Sequence, residues 1–201
     1  QHWYNLDLPE TIAVREKLLP ENGKISQIAM SAMDDWGGMI RESGDALVII
    51  EGLTMYLSEA DVQRIFDVIA RRFPRVTVLV EVMNPLVVRN FKEKSIEGSH
   101  AKFTWGVRDG QALAALLPGF RLVEEHSLTE GMAEFLPIYK VLGKIPLVRN
   151  ISNRIVVLQS KGDAIMVWSI VALAAVSFTA LLTLGAIWAG ADMVMIVSLV
   201  K

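Results

Sequence analysis

The sequence predicts an α/β fold with a largely parallel sheet, followed by a hydrophobic tail. Three observations carry that reading. The runs Ala46–Ile50 and Val76–Val82 are continuous, apolar and rich in β-branched residues, as strands buried on both faces of a parallel sheet are. Between them Val62, Ile65, Phe66, Ile69 and Phe73 recur at helical spacing, so strand and helix alternate. The third is the end of the chain. From Ala164 to Ala191 there are 28 residues without a charge, and Met193–Val200 adds eight more apolar or small ones.

The elements follow in order. Trp3–Asp7 is a short aromatic and apolar run ending in an acid. Pro9 opens a helical pattern through Ile12, Ala13, Val14, Leu18 and Leu19, and Pro20 stops it. Lys24–Met30 alternates as a strand does. Asp34-Asp35-Trp36 begins a polar loop, and Met39-Ile40-Arg41 is a short helix. The strand Ala46–Ile50 ends in Glu51-Gly52. Ser58-Glu59-Ala60-Asp61 is a capping box that opens the helix ended by Pro74. Arg89–Gly98 is charged and reads as helix or loop. Asp109-Gly110-Gln111 precedes a short helix through Leu113, Leu116 and Leu117, which Pro118-Gly119 stops. Phe120–His126 is a strand. Residues 128–150 carry Pro137 and Pro146 and form an excursion, and Ile155–Leu158 is the last strand. No internal repeat is visible.

Composition removes several function classes. At 52% hydrophobic and 21% charged residues the 201-residue chain is not a disordered one. A net charge of −2 gives no broad basic surface for nucleic acid. The absence of cysteine excludes disulfides, thiolate nucleophiles, zinc–cysteine sites and iron–sulfur clusters.

The tail sets the expected domain organisation: a globular part over 1–160, a linker at 161–163 and a hydrophobic tail over 164–201. About 20 apolar residues cross a bilayer as a helix, so the tail predicts a transmembrane segment. Trp168 and Trp188 sit where interfacial aromatics are favoured. Lys140, Lys144, Arg149, Arg154 and Lys161 precede the run and only Lys201 follows it, which places the globular part on the cytoplasmic side of a membrane. The alternative is a buried helix or strand pair of a larger soluble core.

Ligands of α/β sheets bind beyond the carboxyl ends of the strands. Asp7, Asp34 and Glu51 lie at or just past predicted strand ends. Singly, each has a plain role: a helix N-cap, a loop turn, a solvated strand end. Jointly they point to a ligand, because a carboxylate there can accept both hydroxyl hydrogens of a ribose.

The residues themselves carry a resemblance. Trp3-Tyr4-Asn5-Leu6-Asp7-Leu8-Pro9-Glu10 and Ile49-Ile50-Glu51-Gly52-Leu53-Thr54-Met55-Tyr56-Leu57-Ser58 resemble the leucine carboxyl methyltransferase family, in particular its bacterial polyketide-type O-methyltransferases. Arg72-Phe73-Pro74, Phe103–Val107, Pro118–Leu122 and Arg149–Val156 extend the match over about residues 2–160. The resemblance implies a Rossmann-like class I methyltransferase sheet with a final antiparallel strand. It also implies S-adenosylmethionine as cofactor. In that frame Asp7 holds the ribose hydroxyls, Asp34 and Asp35 lie near the adenine, Glu51 faces the methionine side, and Gly52 and Leu53 shape that wall. The family's glycine-rich cofactor loop and the strand before it precede the Trp-Tyr run and are not in 1–201. The expectation is thus a partial methyltransferase domain, with a gap in the sheet and one open wall to its pocket.

The implied function is methyl transfer from S-adenosylmethionine to a carboxylate or hydroxyl of a small molecule, by a membrane-tethered enzyme. The alternative is an inactive, truncated remnant. A nicotinamide-dependent oxidoreductase would also use a ribose-binding acid, but the glycine fingerprint is lacking. A carboxylate acceptor is ionised at neutral pH and needs no general base, whereas a phenol or alcohol gains from one. His126, at a strand end, is the candidate base, with a satisfied surface histidine as its plain reading. His2 and His100 have weaker placement. Arg89 could pair with an acidic substrate, its plain reading being a solvated helix face. No catalytic residue is assigned.

Overall fold

The computed structural model describes residues 2–18, 23–41, 44–90, 102–161 and, as backbone, 192–197. His100, residues 91–98 and the uncharged run 164–191 lie outside the described residues.

The strands are β1 (Trp3–Asp7), β2 (Ile25–Ala29), β3 (Asp45–Glu51), β4 (Arg75–Val82), β5 (Phe120–Ser127), β6 (Arg154–Ser160) and β7 (Asp192–Val197). The helices are α1 (Pro9–Leu18), α2 (Glu59–Arg72), α3 (Pro85–Asn90), α4 (Gly110–Leu116), α5 (Leu128–Phe135), α6 (Tyr139–Leu142) and α7 (Pro146–Ile151). Short 3-10 turns stand at Trp36–Met39 and Thr54–Tyr56. The single sheet has the order β2-β1-β7-β3-β4-β6-β5. β1, β2, β3, β4 and β7 run parallel, and β6 is antiparallel to both of its neighbours.

The alternation read from the sequence is present. Side chains along a strand alternate between faces, and Val48, Ile50, Val78, Val80, Val156 and Leu158 point to one face, fully buried. Val62, Ile65, Phe66 and Ile69 of α2 and Leu113 of α4 cover that face. Phe66 meets Phe120 edge-on at 5.0 Å, a geometry favoured by the ring quadrupoles. Leu47, Ile49, Leu79 and Val157 form a smaller buried cluster on the other face.

Helix α2 begins where the sequence places it. The Ser58 hydroxyl accepts from the Asp61 N–H at 3.2 Å, and the Asp61 carboxylate accepts from the Ser58 N–H at 3.0 Å. Each bond satisfies a donor that the first helical turn leaves free. Ser58→Ala is expected to cost about 1 kcal/mol, read as a lower urea midpoint with an unchanged slope. The short helix expected at Met39–Arg41 is a 3-10 turn three residues earlier, at Trp36–Met39. Burial of Trp36, whose ring N–H donates to the Ala32 carbonyl at 3.0 Å, sets its position.

The tail requires a correction. Asp192–Val197 is a strand at the middle of the sheet, paired with β1 on one side and β3 on the other. The expected gap is therefore filled, by the last segment of the chain. Over 192–197 the expected tail is a strand, and the run 164–191 lies outside the described residues. Gln159, next to the end of β6, pairs with Thr77, and Asp192 opens β7 beside Ala46. Both positions lie at the edge where β3 and β4 begin. Among the described residues no helix is long and apolar enough to cross a membrane.

Candidate functional site

The chain leaves β1 outward to β2, and leaves β3 in the other direction to β4. The reversal falls on either side of β7, and such switch points open a crevice at the carboxyl ends of the strands. The register places Asp7 and Glu51 there. Leu6 pairs with Ile196, and Glu51 pairs with Val197. Asp7 and Glu51 thus flank the end of β7, two strand spacings or about 10 Å apart along the row. Tyr4 and Leu6 face the main core, as do Val48 and Ile50. Asp7 and Glu51, one residue on, share the opposite face.

Asp7 is buried. One of its carboxylate oxygens, Oδ1, accepts from the Leu8 N–H at 2.8 Å. The other, Oδ2, is buried and has no partner among the described residues. Burial raises the Asp7 pKa, and the Leu8 hydrogen bond and Arg15 only partly offset it. A buried carboxylate oxygen without a donor is costly, and a ligand hydroxyl would satisfy it.

The sequence reading missed the partner of Glu51. Ile50 pairs with Val80, so Glu81 is the cross-strand neighbour of Glu51 on the same face. Glu81 accepts from the Gly52 N–H at 3.0 Å and from Asn153 Nδ2 at 2.8 Å. The Thr54 hydroxyl donates to the Glu81 carbonyl at 2.7 Å. Gly52 has φ +62, a left-handed conformation that suits glycine. It turns the Gly52 N–H onto Glu81. Leu53 is half-buried against the main core. The signal for Glu81 was present as a lone acid within the apolar run Val76–Val82.

Burial raises the Glu51 pKa, and the like charge of Glu81 adds to it. Above the ordinary value of 4.5 and up to the raised one, the native state binds more protons than the unfolded chain. Stability contributed at this position therefore falls as pH rises through that window. Glu51→Gln is expected to raise the melting temperature at neutral pH, with the gain shrinking as the pH is lowered to about 4. Thermal unfolding across that range checks it.

The other predicted residues are placed as follows. Asp34 and Asp35 are exposed on the loop after β2, at the same edge of the sheet. Asp35 makes a 4.0 Å surface ion pair with Arg71, a contact of small energetic weight. His2 meets the Ser26 hydroxyl at 2.9 Å. Arg89 is exposed on α3. His126 stands between two acids. Its ring nitrogens lie 3.2 Å from Glu124 and 3.1 Å from Glu130. Burial disfavours the charged ring, but hydrogen bonds to the two carboxylates outweigh it and raise the pKa.

Comparison with known proteins follows the same line. Superposition on a candidate methyltransferase from Thermobifida fusca YX gives a TM-score of 0.51 at 12% identity, over 81% of this chain and 64% of that one. The fold is methyltransferase-like. In sequence, the chain is 30% identical over 145 residues to the tetracenomycin polyketide synthesis O-methyltransferase TcmP of Streptomyces glaucescens. That match takes in 70% of this chain and 54% of TcmP, so the chain spans about half the length of this curated relative. No protein-family model matches the chain.

Proposed function

We propose that the protein is an S-adenosylmethionine-dependent O-methyltransferase acting on a carboxylate or hydroxyl of a small molecule. The observation that carries this reading is the buried, unpartnered Oδ2 of Asp7 at the switch point of a methyltransferase-like sheet, with Glu51 across β7. The similarity to TcmP supports the class of reaction.

The residues fit the cofactor. Asp7 would hold the ribose hydroxyls, with Oδ2 gaining the donor it lacks. Glu51, held apart from the Gly52 N–H by Glu81's prior claim on it, would keep its carboxylate for the methionine side. Asp34 and Asp35 would border the adenine, and Gly52 and Leu53 would shape the wall on the methionine side, beside Glu51. When bound, S-adenosylmethionine supplies an electrophilic methyl group on its sulfonium. The protein's share is alignment of the acceptor oxygen and exclusion of water. Because His126 is held by two acids, a carboxylate acceptor, which needs no base, suits the site better than an alcohol.

Calorimetric titration with S-adenosylhomocysteine tests the reading. One binding site of micromolar order supports it, and no heat at about 1 mM ligand overturns it, leaving the inactive remnant. Membrane association of the 164–191 run, with the globular part on the cytoplasmic side, is a separate proposal resting on composition. Release of the chain by alkaline carbonate would overturn it.

A further inference from the structure

Exposed apolar side chains are concentrated in one short stretch. Among the described residues ten large ones are exposed, and five of them are Leu136, Ile138, Val141, Ile145 and Leu147. Single exposed apolar residues are ordinary, whereas a cluster marks an interaction site. The stretch leaves the sheet after β5 and returns at β6. Arg154, which opens β6, pairs with Val82, which ends β4. The excursion therefore stands at the carboxyl edge of the parallel strands, the edge that carries Asp7 and Glu51.

The local backbone sorts these residues by face. The Leu142 N–H donates to the Ile138 carbonyl at 3.0 Å, the Gly143 N–H to Tyr139 at 2.8 Å and the Ile145 N–H to Leu142 at 3.0 Å. Residues three and four apart on such turns are neighbours, so Ile138, Val141 and Ile145 form one row. Lys140 and Lys144, four apart, form the row beside it. Tyr139, Leu142 and Gly143 are half-buried. A Cβ on Gly143 would lie 3.5 Å from the Thr129 side chain, so that side packs on α5. The apolar row and the lysines are the outer side, with Ile138 62% and Val141 67% exposed. The charge there has one sign. From Leu136 to Gly162 the sequence contains no acid, and Glu130 on α5 stands 3.1 Å from His126.

We propose that this face docks on the surface of an anionic bilayer. Ile138, Val141 and Ile145 enter the acyl boundary, and Lys140 and Lys144 meet the headgroups. An apolar row bordered by lysines is the pattern of helices that lie in a membrane interface, and each lysine near an anionic leaflet adds attraction. A second copy fits poorly, because two such faces would set lysine against lysine without an acid between them. A stable protein interface takes about 20–30 residues a side, whereas positions 136–147 offer twelve. Docking sets the mouth of the candidate site against the membrane. The proposal depends neither on the methyltransferase reading nor on the 164–191 run.

The chain has no cysteine, so Val141→Cys in the full chain takes a single acrylodan label. Arg71→Cys, exposed at the end of α2 by the opposite edge of the sheet, takes the control label. Vesicles of phosphatidylcholine and phosphatidylserine in equal parts should shift the emission at position 141 to the blue and leave position 71 unchanged. In the Val141→Cys background, Lys140→Gln together with Lys144→Gln should weaken vesicle affinity by about tenfold or more. Ile138→Ser together with Ile145→Ser should do the same. All four side chains are exposed, so the variants should fold, and circular dichroism checks this. No blue shift at position 141 overturns the proposal, and so does an equal affinity for vesicles of phosphatidylcholine alone. Vesicle binding unchanged in both double variants overturns it too, because attachment would then lie elsewhere in the chain. A label already blue before vesicles are added would mean that another segment or a second copy covers the face, which also overturns it.

Discussion

Val194→Pro should unfold the sheet. Val194 pairs with Tyr4 on β1 and with Val48 on β3, so proline there strikes a strand flanked on both sides. Proline has no N–H for the ladder and is found in sheets essentially at edges or bulges. Tyr4 and Val48 are themselves buried, so the neighbouring strands cannot retreat into water without exposing core. A loss of about 3 kcal/mol or more is expected, a large part of the 5–15 kcal/mol typical of a domain. Urea denaturation followed by circular dichroism reads it. Removal of residues 192–201 should act in the same direction, because it leaves β1 and β3 without their common neighbour. An unchanged midpoint in both variants would mean that Asp192–Val197 does not occupy the slot, and the gapped sheet expected from the sequence would return.

Asp7→Ala should abolish most of the affinity for S-adenosylhomocysteine while leaving the fold intact. Hydrogen bonds to a charged group are worth about 1.5–3 kcal/mol each. Loss of two ribose contacts therefore predicts a fall of about 100-fold or more in affinity by calorimetry. Stability should move the other way. Burial holds the Asp7 pKa above its ordinary 3.8, so the charged form at neutral pH burdens the native state. Asp7→Asn, which keeps the shape, should raise the melting temperature at pH 7 and lose that advantage in acid. A residue placed only for stability would not show weaker binding together with a more stable fold. Equal affinity in wild type and Asp7→Ala would remove Asp7 from the site.

Much of the frame was legible in the sequence. Ala46–Ile50 and Val76–Val82 are strands because β-branched residues run without interruption, and parallel central strands need apolar side chains on both faces. Helix α2 was legible because its start is local: Ser58 and Asp61 satisfy each other's backbone within one turn. The strand-end acids were legible for a related reason, since a charge closing an apolar run must stand where the sheet meets solvent or ligand.

Other features depend on who lies beside whom. The run containing Asp192–Val197 has the composition of a membrane span broken only by Asp192, and nothing local marks the five apolar residues after that acid as a strand. Only pairing with β1, nearly two hundred residues away in the chain, makes it a central strand. The Glu51–Glu81 pair likewise depends on the β3–β4 register, and a slip of one residue would put the two acids on opposite faces. His126 had a readable neighbour at Glu124, two residues back and on the same strand face. Glu130 comes to it from the next helix. A bulge between Leu122 and Glu124 then sets which residues of β5 face β6, and with it the pairing of Glu125 and Arg154.

Local residue order sets the alternation of strand and helix, the caps and the acids at strand ends, because propensity, periodicity and hydrogen bonds within one turn act over a few residues. Distant pairing brings Asp192–Val197 between β1 and β3, Glu81 beside Glu51, and Arg154 to Glu125. Those facts arise from register and from charge balance among distant segments, and neither is encoded in any single stretch of chain.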